Sequence, residues 1–284
     1  MKIKLNILVS KFVFIYLITM IVFGGTSILV KAEVDNTDTE VVAKKFLPSN
    51  AVLVEPKQPN SASAIQRYDF DKDGQDELVV TYKLRNAESN KIKAMVLKKD
   101  NEEWKKVWET TRDGIGIDYS GLHDISGNGK KEFILGWLAD EASGNKLEIY
   151  QWKTKTLQQM ADYSLYHKLE VLHDGPQRSL AVWERYCCDD AYIVKVLSWD
   201  GGKLDHDENR YASYYPTIKN FYDEKIKAAD AWYYWYALAD AQIRANLLDE
   251  APRTIQKGLT FKLEKESFRQ LQKRLEKKIM NATN

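Results

Sequence analysis

The chain has 284 residues, 44% of them apolar, with 42 Lys and Arg against 41 Asp and Glu for a formal charge of +1. That is apolar material for one large or two modest domains, and it excludes a chain held open by its own charge. Near-neutrality also removes any global field that would draw nucleic acid, an anionic membrane or an acidic substrate. The 8 Trp and 16 Tyr favour half-buried strands or an aromatic recognition surface.

Lys2, Lys4 and Lys11 precede an uncharged run at 12–30 that closes on Val30-Lys31-Ala32, the pattern of an export signal with small residues at its cleavage site. A signal peptide over 1–32 and a mature chain from Glu33 are expected. Retention of the run as a membrane anchor is the alternative, since it is long enough to cross a bilayer. Both place the body outside the cytoplasm, secreted or on the outer side of the cell envelope. No Cys closes the run, so lipid attachment there is not expected. Residues 33–45 begin acidic and polar and are assigned as a linker.

From 46 to 213 the pattern is short strands of β-branched and aromatic residues separated by Gly, Asn and Asp, with a first strand near Val52. Three stretches share one order: an Asp-containing polar loop, an apolar strand, a second strand and a weaker third. They run over 78–84, 92–97 and 104–108, then 133–138, 147–152 and 157–160, then 180–186, 192–199 and a short end near Leu204. The repeat length is roughly fifty residues, the range of blade-like units. An all-β sandwich is the competing architecture. Three blades are too few for a closed ring, leaving an edge for the C-terminal helices to cover.

The sharpest motif opens the first stretch. In Asp69-Phe70-Asp71-Lys72-Asp73-Gly74-Gln75-Asp76-Glu77 the carboxylates of Asp69, Asp71, Asp73 and Glu77 alternate inward. Gly74 lets the chain fold back, and Gln75 offers its carbonyl. This is an oxygen set for Ca²⁺, a hard cation with ligands at about 2.3–2.6 Å, rather than for zinc. Asp76 is off the alternation and faces solvent. An EF-hand would carry Glu at its twelfth place, where Val80 stands, and would lead into a helix, whereas this loop leads into a strand. An Asp-rich turn without an ion is the plain alternative. A second copy offers Asp124, Ser126, Asn128, Lys130 through its carbonyl, and Glu132, with two carboxylates replaced by neutral groups. Its affinity is expected to be lower. The third, His173-Asp174-Gly175-Pro176-Gln177-Arg178, has lost the spacing, and no ion is expected there.

The pattern Asp-x-Asp-x-Asp-Gly-x-x-Glu running into an apolar strand, and repeating, resembles the FG-GAP/VCBS repeats of integrin-α-like β-propellers over 68–211. The resemblance implies structural Ca²⁺ and a partial or open propeller of about three units serving adhesion or protein recognition. No Phe-Gly…Gly-Ala-Pro sequence accompanies it.

The tail, 214–284, changes to helical spacing through Ile218, Phe221, Tyr222 and Ile226. Segments 232–245 and 252–261 then form an expected antiparallel pair, and a charged amphipathic stretch follows at 262–279 with Leu271, Leu275 and Ile279 in a stripe. Trp235, Leu238, Ala239, Ala251, Ile255 and Gly258 resemble the large, small and apolar places of a tetratricopeptide repeat, with Gln242 where an aromatic is usual. The fold expected overall is mainly β, with a tetratricopeptide-like helical segment at the C-terminus.

No catalytic constellation is found. His123, His167, His173 and His206 lack zinc spacing, and no nucleophile elbow or phosphate loop occurs. Asp189-Asp190 with Glu184 reads as a solvated hairpin tip, and the aromatic run 232–236 as packing between helix and sheet. Cys187 and Cys188 are neighbours, for which a vicinal disulfide or free thiols at a hairpin tip precede intermolecular pairing. The function expected is a non-catalytic, Ca²⁺-stabilised module binding a protein or envelope component. A secreted polysaccharide-active enzyme or a purely structural envelope protein are the alternatives.

Overall fold

Strand-forming runs occupy the middle of the chain because their apolar residues alternate or run continuously between Gly-, Asn- and Asp-rich turns. The computed structural model describes residues 36–85, 91–139, 144–173, 175 and 177–283. The expected export signal lies outside them, as do Asp174 and Pro176 of the third loop. Among the described residues no helix is long and apolar enough to cross a membrane.

The strands are β1 (Ala51–Leu53), β2 (Pro56–Gln58), β3 (Ile65–Tyr68), β4 (Glu77–Leu84), β5 (Lys91–Asp100), β6 (Glu103–Asp113), β7 (Gly116–His123), β8 (Glu132–Leu138), β9 (Asn145–Lys153), β10 (Thr156–Tyr166), β11 (Lys168–Leu172), β12 (Ser179–Arg185), β13 (Tyr192–Trp199) and β14 (Leu204–His206). Three antiparallel meanders follow one another, β3-β4-β5-β6, β7-β8-β9-β10 and β11-β12-β13-β14. β1 also pairs with β4, and β2 adds to β7 in parallel. The fold is mainly β with a helical C-terminus, and the described strands form no closed barrel or propeller.

Two expectations are corrected. Each meander has a strand before its loop, which the sequence hides because β3 and β11 are short and largely half-buried, and because Gly116, Asp118, Ser120 and Gly121 interrupt the apolar pattern of the longer, buried β7. The last strands of the first two meanders are also longer than their apolar signal, 11 residues each, because β6 and β10 expose much of their length and carry polar residues there.

Alternation then buries both faces of each sheet. Leu78, Val80 and Tyr82 of β4 face one core with Met95 and Leu97, while Val79 faces the next with Ala94, Val96, Phe133, Leu135 and Trp137. Ile134, Leu147 and Ile149 of the second sheet meet Leu180, Val182 and Leu197 of the third. Sheets are thus stacked face to face with shared apolar layers.

Both outer faces are covered by helices. Residues assigned as a linker instead contain α1 (Asn36–Phe46), whose Val42, Ala43 and Phe46 pack on the first sheet. The apolar signal there is one narrow stripe within a polar segment. At the other end α2 (Glu208–Ala228), starting six residues before the expected tail boundary of 214, and α3 (Trp232–Arg244) cover Ala181, Trp183, Val194 and Val196 of the third sheet. Asp207 caps α2, its carboxylate accepting from the Arg210 backbone N–H. α4 (Ala251–Leu259) and α5 (Lys265–Thr283) pack with α3 through Ala239, Ile243, Ile255, Phe268, Leu271 and Leu275. Ile279, expected in that stripe, is 38% exposed. Buried Gln242 leaves its Oε1 without a hydrogen-bond partner.

Candidate cation site

The first acidic loop joins β3 to β4, and its carboxylate oxygens divide into two groups by what they face, with Asp73 and Glu77 giving one oxygen to each. One group closes the loop on its own backbone. Asp69 accepts from the N–H groups of Asp73 and Gly74, both at 3.1 Å, Asp73 Oδ1 accepts from Gln75 N at 2.8 Å, and Glu77 Oε2 accepts from Phe70 N at 2.9 Å. Gly74 sits at φ +84°, which a side chain would resist. The other group converges on one cation. Asp71 Oδ2, Asp73 Oδ2 and Glu77 Oε1 lie 3.0, 2.9 and 2.5 Å from the Lys98 ammonium.

Lys98 was not among the candidate residues. It lies one residue beyond the Leu78–Leu97 pair of β4 and β5, and therefore opposite Glu77. The signal available was a lysine directly after the apolar run Ala94-Met95-Val96-Leu97. Burial alone would lower its pKa, but hydrogen bonds with Glu77, Asp73 and Asp71 outweigh that and hold the ammonium above the ordinary lysine range. The bond from Lys98, with that from the Gln75 amide, holds Asp73 below the usual carboxylate range. For Glu77, fully buried, desolvation wins and pushes the carboxyl up against the pull of Lys98.

Oxygens of Asp69, Asp71 and Glu77 all lie within 4.8 Å of one another, and among the described residues this is the one such grouping of three or more potential metal ligands. Four alternating carboxylates, three of them on a single ammonium, leave the loop strongly negative, so its donor set suits a hard divalent cation. Asp76 is not part of the convergence. Asp76 pairs with Arg67 at 3.1 Å on the surface, as its place off the alternation implied.

The second loop joins β7 to β8 and repeats the backbone wiring. Asp124 accepts from Gly127 N at 2.8 Å and Gly129 N at 2.9 Å, and Asn128 Oδ1 accepts from Lys130 N at 2.8 Å. Glu132 accepts from Ile125 N at 2.8 Å and Ser126 N at 3.1 Å through one oxygen, and from Ser126 Oγ at 2.7 Å through the other. Both of its oxygens are engaged within the loop. The loops adjoin: Lys72 Nζ donates to Gly129 O at 3.1 Å, and Arg178 N donates to Asp124 O at 2.9 Å.

The remaining candidates are dispersed. His123 Nε2 lies 2.6 Å from the Tyr119 hydroxyl, and its ring meets that of His173 at 5.7 Å. Glu184 bonds Tyr163 and Lys195, apart from Asp189 and Asp190, which bond Tyr233 and Lys225. The aromatic run on α3 packs, Tyr234 against the third sheet and Trp232 and Tyr236 toward α4 and α5. Compared with protein-family models and with curated proteins, the chain matches none.

Proposed function

We propose that this chain is an exported, non-catalytic interaction module of FG-GAP/VCBS type, with blade-like sheets stiffened by Ca²⁺ at the loop of Asp69, Asp71, Asp73 and Glu77. The observation carrying the reading is the shared wiring of two loops at the same junction of consecutive meanders. In each, the leading Asp accepts from backbone amides further round the loop, the residue four on accepts from the amide two beyond it, and the Glu eight on returns to the amide after the Asp. Such a loop fixes the entry of a strand without helix geometry, so an ion in it serves rigidity rather than sensing. The open, helix-capped stack fits a partial propeller, and the partner is a protein or envelope component. The close-packed α3–α4 pair fits a tetratricopeptide-like hairpin.

Ca²⁺ would take oxygens that now hold Lys98, so binding requires the ammonium to swing out. Calorimetric titration of the chain with Ca²⁺, beside Asp71→Ala, tests the site. Saturable heat that the variant loses, with a higher melting temperature in Ca²⁺ than in chelator, is expected. Identical melting curves in both would remove the ion from the proposal.

A further inference from the structure

The tip of the β12–β13 hairpin, residues 186–191, carries the two cysteines and also fastens the third sheet to the helical tail. Tyr186 N donates to Ala191 O at 2.8 Å and Ala191 N to Cys188 O at 3.0 Å, with Asp189 at φ +42° making the bend. On one side Tyr186 stacks on Tyr236 of α3 at 4.5 Å and 7°. On the other, Asp189 accepts from the Tyr233 hydroxyl at 2.6 Å, and Asp190 pairs with Lys225 of α2. Cys187 and Cys188 stand between these grips. Cys187 is exposed and Cys188 half-buried, and neither is in a disulfide. Neighbours in an extended strand point to opposite faces. Residues 187–190 bend and turn instead of running as a strand, so that rule does not hold Cys187 and Cys188 on opposite faces.

We propose that Cys187 and Cys188 are a redox-modification site at which exchange with a small-molecule disulfide closes a vicinal disulfide and loosens the hairpin tip from α3. In the first step one cysteine, as thiolate, attacks the reagent, forming a mixed disulfide and releasing one reagent thiol. In the second the neighbouring sulfur displaces the other. The protein loses two S–H bonds and gains one S–S bond, while two electrons and two protons pass to the reagent as two free thiols. The lever is geometric. Adjacent Cα atoms are about 3.8 Å apart across a trans peptide, short of the roughly 4.4–6.8 Å that disulfides span, so closure must rotate the backbone at 187–188. Tyr186 and Asp189, the two residues that grip α3, are the immediate neighbours. Burial, and then Cys188 beside it, push the Cys187 thiol up to about 12, so exchange is slow at neutral pH and speeds up with alkalinity.

The test uses the full chain, reduced and then incubated with glutathione disulfide. It is read by intact mass, by alkylation with iodoacetamide and by hydrogen exchange across Trp232–Arg244. A monomer lighter by about 2 Da, closed to alkylation and restored by dithiothreitol, is expected. Exchange in α3 should rise about tenfold in the oxidised form. Cys187→Ser and Cys188→Ser should each lack the mass loss and keep α3 exchange at the reduced level under the same treatment. A disulfide-linked dimer, a mixed disulfide that persists in the unsubstituted chain, or thiols that stay open to alkylation would overturn the site. A closed ring with α3 exchange unchanged would overturn the latch.

Discussion

Lys98 decides how the acidic loop behaves, because its ammonium already neutralises part of the charge that a divalent ion would see. Its side chain is 10% exposed and that of Glu77 1%, so the pair is shielded from salt. Lys98→Met is expected to act in opposite directions with and without the ion. In chelator it strands buried Glu77 and should cost about 3 kcal/mol of stability, measured by urea unfolding. In Ca²⁺ it removes the competitor, and affinity should rise about tenfold, measured by calorimetric titration. An affinity unchanged or lowered would show that the ammonium and the ion do not compete. His123 makes a second prediction. Burial, and then the charges of His173, Arg178 and Lys131, lower its pKa from 6.5 to about 4. The folded chain therefore keeps it neutral where the unfolded chain protonates it, so its contribution is complete above pH 6.5 and is lost as pH falls toward 4. Melting temperatures followed across that window should decline less steeply in His123→Gln than in the unsubstituted chain.

Among the elements, the α4–α5 contact depends on a missing side chain. A Cβ on Gly258 would lie 1.9 Å from the Phe268 ring, inside contact distance, so the helices approach as closely as they do only because the position is glycine. Gly258→Ala would gain helix propensity, but it must displace a fully buried ring. A net loss of about 2 kcal/mol is expected, read by thermal unfolding. The small residues Ala239, Ala251 and Gly258 are visible in the sequence as a close-approach pattern, and all three are buried there. The β elements were less legible. Strong apolar runs such as Phe133-Ile134-Leu135 mark central strands, buried on both faces. β3 and β11 are only four and five residues long, too short for a clear period, and pairing to a buried neighbouring strand holds them in place.

For the molecule as a whole, stacked sheets need covers, since an uncovered sheet face presents an apolar surface that promotes association. Deleting residues 208–284 would expose Ala181, Trp183, Tyr192, Val194 and Val196 together. That truncated chain is expected to be aggregated or insoluble, checked by size-exclusion chromatography after expression, and a monomeric, cooperatively folding product would refute the capping role. The sequence by itself determined the class of the central apolar strands and of the C-terminal helices, and the alternation of oxygens from Asp69 to Glu77, because hydrophobic period and loop spacing are local properties. Tertiary structure alone decided that residues 36–46 cap a sheet, that the third meander docks on helices, and that a lysine 21 positions from Glu77 enters the acidic loop. Those depend on strand register and on which face meets which, and neither is written in any short stretch of chain.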